Sequence, residues 1–159
     1  MISGEAPDFS LQALKGSLTS LHGLLASGPL LLAFFKVSCP TCQLTLPFLE
    51  RLYVGRSPDA PQIVAISQDD ASATHSFNLR YGISLPVLLD PSAVGVSPRF
   101  PASNAYGITN VPTLFFIEPD RRISLSVTGF EKAVMESLGV RFGVTVFRAA
   151  DRVPVFQPG

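Results

Sequence analysis

The chain has 159 residues, 47% of them hydrophobic and 15% charged, with 12 lysines and arginines against 12 aspartates and glutamates. That length suits one domain, 1–159, whose core is large enough to stand without disulfide staples. The balanced charge offers no field to nucleic acid or acidic lipid, and the longest apolar run, Pro29 to Phe35, is far too short to span a membrane.

The opening residues Met1-Ile2-Ser3-Gly4-Glu5 contain no basic stretch leading into an apolar one. A cytoplasmic protein is expected on the sequence as it stands, and an extracytoplasmic one if a leader or anchor precedes it. Ala6 to Leu11 reads as an extended entry, and Ser17 to Leu25 as a short strand or turn and then a short helix. Leu30 to Phe35 is continuously apolar, as a strand buried on both faces reads. Ser38-Cys39-Pro40-Thr41-Cys42 follows and opens a helix to about Tyr53, marked by Leu46, Leu49, Leu52 and Tyr53. Pro40 suits the first helical turn, whereas Pro47 inside the helix should kink it.

Gln62 to Ser67 is a second buried strand. Asp69 or Asp70 caps a helix that runs to about Tyr81 and stops at Gly82. Pro86 to Leu89 is a short strand, and Ser92 to Ala105 reads as helix and loop interrupted by prolines. Thr113 to Glu118 is a third long strand, with Ile123 to Thr128 as its hairpin partner. Gly129 ends the hairpin, and Glu131 to about Phe142 is the last helix. The tail, 143–159, carries Val144, Val146, Phe147, Val153, Val155 and Phe156, too apolar to hang free, and is expected to pack on the body. Alternating strands and helices followed by a hairpin give an α/β domain: a central mixed β-sheet flanked by helices on both faces.

Cys39 and Cys42 are the chain's two cysteines. Two thiols this close, in an otherwise cysteine-free chain, read as a redox pair. At a helix start, unpaired N–H groups and the positive end of the helix dipole favour a thiolate on Cys39, and the thiolate is the attacking species. Cys42, one turn deeper, is the resolving thiol that closes on Cys39. A zinc site needs two further ligands, and His22 and His75 lack the paired spacing, so no metal is expected. An inert structural bridge is the other alternative, although so small a loop removes little chain entropy. Lys36 is expected in solvent at a strand end. Phe34, Phe35, Phe115 and Phe116 belong to the core, and Phe100, Tyr106 and Phe130 cover the core or line a groove.

These residues resemble the thioredoxin superfamily. The likeness rests on the strand ending at Phe35, on Cys39-Pro40-Thr41-Cys42 with Pro47 beyond it, and on Val111-Pro112-Thr113 before a strand, a hairpin and Gly129. Ala6-Pro7-Asp8-Phe9, Leu85-Pro86-Val87-Leu88-Leu89-Asp90 and Ala105-Tyr106-Gly107 are similar to the AhpC/TSA–redoxin branch, which holds TlpA/ResA-type thiol–disulfide oxidoreductases and the peroxiredoxins. The resemblance covers about residues 5 to 142. It implies a thioredoxin-like fold with an N-terminal extension, 1–29, and a strand–helix insertion before the cis-proline. It also implies that Pro112 is cis, that the Val111 backbone pairs with substrate as a short strand, and that Pro40 and Thr41 face the substrate.

The activity implied is exchange of a Cys39–Cys42 dithiol and disulfide with protein thiols and disulfides, in cell redox homeostasis. No cofactor beyond that bridge is expected, and the partners are substrate proteins and a redox donor or acceptor of a monomeric protein. Two departures stand out: Ser38 replaces a tryptophan common before the first cysteine, and Ala33 replaces the buried acid of many thioredoxins. A peroxiredoxin-like thiol peroxidase is the alternative enzyme, although Lys36 and Leu32 occupy the positions of the Thr and Pro in the peroxidatic pattern. A binding module with an inert bridge is the non-enzymatic alternative.

Overall fold

A computed structural model describes residues 2–91 and 99–159. Its strands are β1 (Ser10–Ala13), β2 (Leu18–Ser20), β3 (Leu30–Phe35), β4 (Gln62–Ser67), β5 (Val87–Leu89), β6 (Thr113–Ile117), β7 (Ile123–Thr128), β8 (Phe130–Glu131) and β9 (Phe156–Gln157). Its helices are α1 (Leu21–Leu25), α2 (Pro40–Gly55), α3 (Ala71–Tyr81), α4 (Pro101–Ala105) and α5 (Lys132–Phe142). Seven strands form one sheet in the order β2-β1-β5-β4-β3-β6-β7. β3, β4 and β5 run parallel, while β6 and β7 on one side and β1 and β2 on the other are antiparallel to their neighbours.

β3 organises both cores because all six of its residues are buried and successive side chains point to opposite faces. Leu31, Ala33 and Phe35 join α2, α3 and α5 in one cluster, which includes Leu46, Leu49, Phe77 and Leu138. Leu30, Leu32 and Phe34 join Phe9, Leu21, Ala102 and Tyr106 in the other, under α1 and α4. Phe34, Tyr106 and Phe115 contact one another there, with ring centroids 5.3–6.0 Å apart. Mixed sheet, helices on both faces and core phenylalanines all match the sequence reading.

Some bounds differ. The entry segment from Ala6 leads into a strand, Ser10–Ala13, which runs two residues past Leu11 where it pairs with β2 and β5. Pro86 lies outside β5, where its carbonyl accepts Ala65 N–H at 3.0 Å. Pro47 sits inside α2 without interrupting it, on a helix whose Leu46, Phe48, Leu49 and Leu52 are held in the core. Of the ambiguous stretch Ser92 to Ala105, 92–98 lies outside the described residues, and Pro101–Ala105 is helical with Pro101 in the first turn.

The tail packs on the body, as expected, and it also forms β9, which pairs with β8 in a separate two-stranded sheet. Val146 is buried, and Phe147 packs against Phe48 with centroids 4.9 Å apart. Two glycines let it pass. A Cβ on Gly139 would meet the Val144 carbonyl oxygen at 2.6 Å, and one on Gly129, at φ +84°, would meet the Gln157 carbonyl oxygen at 2.6 Å. Arg51 of α2 clasps the tail through paired hydrogen bonds to Asp151 at 2.7 and 3.1 Å.

Candidate active site

The site forms where β3 ends and α2 begins. Phe35 closes the buried strand, Lys36 is exposed, and Cys39 is the N-cap of α2 with extended backbone at φ −86°, ψ 117°. Pro40 then occupies the first turn, where no N–H is required. Both cysteines are free thiols. Cys39 is half-buried, and its Sγ accepts the Cys42 backbone N–H at 3.1 Å. A helix-terminal N–H thus points at the sulfur, the arrangement that stabilises negative charge there. The Cys39 thiol donates in turn to the Val111 carbonyl at 3.3 Å.

That contact links two segments far apart in sequence. Val111–Pro112 is a cis peptide bond, as the resemblance implied, and Pro112 is buried just before β6. Its carbonyl accepts Gly129 N–H at 2.8 Å, and the Thr113 hydroxyl donates to the Asn110 carbonyl at 2.7 Å. These bonds hold the loop that carries Val111 over Cys39.

Cys42 has no exposed surface. Burial pushes its thiol well above the ordinary value, reinforced by the hydrogen bond with Cys39 and by the Cys39 and Asp69 charges, and only partly offset by the Lys36 backbone. The two sulfurs are therefore unequal: one at the surface on a helix tip, one sealed in the core as a thiol.

Asp69 is the residue whose place the sequence did not reveal. Of the adjacent aspartates, Asp70 caps α3 by accepting Ala73 N–H at 2.8 Å. Asp69 reaches across to accept Val37 N–H at 2.8 Å, pinning the loop before Cys39. The signal was present in outline, since one helix start needs only one cap. Gln43 Nε2 fastens the same loop by donating to the Val37 carbonyl at 3.0 Å.

Pro40 is exposed, as a substrate-facing residue would be, but Thr41 is buried beneath the tail. Its hydroxyl donates to the Pro158 carbonyl at 2.6 Å and accepts from Gln157 Nε2 at 2.8 Å. A groove of about 490 Å³ opens beside Cys39, lined by Lys36, Gln68, Phe100, Asn104, Asn110 and Val111 among others. Phe100 lines this groove, while Tyr106 and Phe130 are core residues. His22 and His75 are exposed, on α1 and α3. Among the described residues, no group of three or more His, Cys, Asp or Glu is placed to hold a metal ion.

The AhpC/TSA family model matches residues 2–126. The thiol-disulfide oxidoreductase ResA of Bacillus subtilis is 29% identical over 126 residues, covering 79% of this chain and 66% of that protein. The chain thus spans about two thirds of that relative's length. Among solved structures, the thioredoxin domain of a thiol-disulfide oxidoreductase from Bacteroides vulgatus superposes with a TM-score of 0.74 at 17% identity, over 89% of this chain and 99% of that one. A secreted Mycobacterium tuberculosis disulfide oxidoreductase gives 0.63 at 25% identity, over 85% and 94%. A peroxidoxin, BcpB, from the same organism gives 0.68 at 21% identity, over 88% and 92%. The fold is thioredoxin-like, and the relatives named for thiol–disulfide chemistry agree with the reading of the cysteine pair.

Proposed function

The chain belongs to the AhpC/TSA family, and from that premise we propose that it is a thiol–disulfide oxidoreductase acting through Cys39 and Cys42. The observation that carries this reading is the Cys39 sulfur itself. It is half-buried at a helix N-terminus, takes a backbone N–H at 3.1 Å, and lies 3.3 Å from the carbonyl of the residue before the cis-proline.

In the reducing direction, the Cys39 thiolate attacks one sulfur of a substrate disulfide. A Cys39–substrate mixed disulfide forms, and the other substrate sulfur leaves as a thiolate. Cys42 then gives up its proton and attacks Cys39 Sγ, which closes the Cys39–Cys42 bridge and releases the second substrate sulfur as a thiolate. Two electrons pass from the protein dithiol to the substrate, and a dithiol donor restores the protein. Run backwards, the same steps oxidise a substrate dithiol. High proton affinity at Cys42 keeps it from competing with Cys39 for the first attack. Val111 is the backbone edge on which a substrate chain pairs during exchange.

Within the family this geometry favours exchange over peroxide reduction. The peroxidatic pattern calls for Thr and Pro where this chain has Lys36, exposed at the strand end, and Leu32, buried in β3. No helix among the described residues is long and apolar enough to cross a membrane. Likeness to a secreted disulfide oxidoreductase supports a place outside the cytoplasm.

The test is a pair of variants. Cys42→Ser should accumulate a mixed disulfide through Cys39 that is visible on non-reducing gels. Cys39→Ser should lose insulin reduction by about 1000-fold or more, as expected when the attacking group of a unit is removed. Retained turnover in Cys39→Ser overturns the assignment, and rapid consumption of hydrogen peroxide by the parent favours the peroxidase instead.

A further inference from the structure

The tail lies outside the family match, which ends at residue 126, yet its residues 157–159 lie on the site. Pairing of β9 with β8, together with the Lys132 N–H to Val155 carbonyl bond at 3.0 Å, carries the chain to the mouth of the cysteine pair. There Thr41, between the two cysteines, latches it with both hydroxyl functions: donor to the Pro158 carbonyl, acceptor from Gln157 Nε2. Thr41 is 4% exposed, so its side of the latch is buried, while Gln157 is half-buried and Pro158 exposed.

Beyond the latch, Gly159 lies on Val111. A Cβ added to Gly159 would stand 2.4 Å from the Val111 carbonyl oxygen and 2.8 Å from its carbon. Asn110 Nδ2 also donates to the Gly159 carbonyl, at 3.4 Å. The Val111 carbonyl therefore has the Cys39 thiol at 3.3 Å and the tail backbone packed on it. A guest strand pairing through that carbonyl needs the space the tail fills, and two chains cannot share it. The groove of about 490 Å³ beside Cys39 stays open, with Gly159 as part of its wall. It has room for a small disulfide without any movement of the tail.

We propose that Gln157, Pro158 and Gly159, latched by Thr41, set the substrate specificity of the exchange reaction. They hold the Val111 edge against extended polypeptide and leave the open groove to low-molecular-weight disulfides. Polypeptide disulfides reach Cys39 only when the tail has left Thr41. This inference rests on the thiol–disulfide reading above, and the chemical steps are the same for both substrate classes.

The test compares prereduced parent, Gln157→Ala and Gly159→Ala in single-turnover reactions with insulin and with hydroxyethyl disulfide, read by acid quench and mass spectrometry. Gln157→Ala removes one latch bond, and Gly159→Ala forces the tail off Val111 with a new methyl group. Each variant should raise the rate constant with insulin about fivefold, the scale of one net hydrogen bond, and Gln157→Ala, whose side chain lies outside the groove lining, should leave hydroxyethyl disulfide within about twofold. Loosening that merely disturbed the fold would change both substrates together. An unchanged insulin rate, or in Gln157→Ala a parallel change with both substrates, overturns the inference while the exchange reading stands. A parent that reacts with neither disulfide overturns the exchange reading and this inference with it.

Discussion

Two cysteines a single helical turn apart behave differently because of where their sulfurs end. Cys39 caps the helix and faces the groove, whereas Cys42 is packed beside Leu46 and Phe35 in a core cluster. Burial raises Cys42 above its ordinary value of 9.0, so the fold favours its protonated form. The associated stability is fully present below that ordinary value. It is lost as pH rises beyond it, because the unfolded chain then ionises Cys42 and the folded chain does not. Reduced protein should therefore lose up to about 1.4 kcal/mol per pH unit more than Cys42→Ser does above pH ~9. Denaturant titrations at pH ~7 and ~10 measure it, and equal losses in the two proteins would contradict the burial of Cys42. At neutral pH, iodoacetamide should label Cys39 alone in the folded protein.

At the level of elements, β3 and the tail do opposite work. β3 places Phe34 in one core and Phe35 in the other, each with no exposed surface. Truncating Phe34→Ala removes a ring that touches Tyr106 and Phe115 and should cost about 3–5 kcal/mol in a denaturant titration. The tail depends instead on a few polar clasps. Asp151 is held down to about 2 from 3.8, first by the Arg51 hydrogen bonds and then by the Arg148 N–H. Its contribution is present above the ordinary carboxylate value and is lost as pH falls toward about 2. Asp151→Asn should thus unfold at lower denaturant than the parent at pH ~7 and match it near pH ~2. A midpoint difference that persists in acid would mean the clasp works through packing rather than charge.

For the molecule as a whole, the parts legible in the sequence are those with local signals. Leu30–Phe35 announces itself by unbroken apolarity, the cysteine pair by spacing at a helix start, and Val111-Pro112-Thr113 by its place before a strand. From these the sheet and the two layers of helices followed, while the place of the proline loop beside Cys39 was implied by the resemblance to the thioredoxin superfamily. What stayed hidden was non-local. β8 and β9 are two residues each, too short to carry a period, and their pairing spans the whole of α5. The resemblance implies that Thr41 faces the substrate, yet its hydroxyl is held by Pro158 and Gln157 from the far end of the chain. Asp69 looked like one of two rival helix caps, and only the packing of β4 beside β3 brings it to Val37. The fold thus came from patterns, and the fine structure of the site from contacts between distant segments.

The most direct measurement is the reduction potential of the Cys39–Cys42 couple, by equilibration with dithiothreitol buffers and mass-spectrometric counting of free thiols. An exchange enzyme requires reversible two-electron behaviour with a midpoint between about −300 and −120 mV. A bridge that never forms, or one that resists reduction well below about −300 mV, would contradict the account.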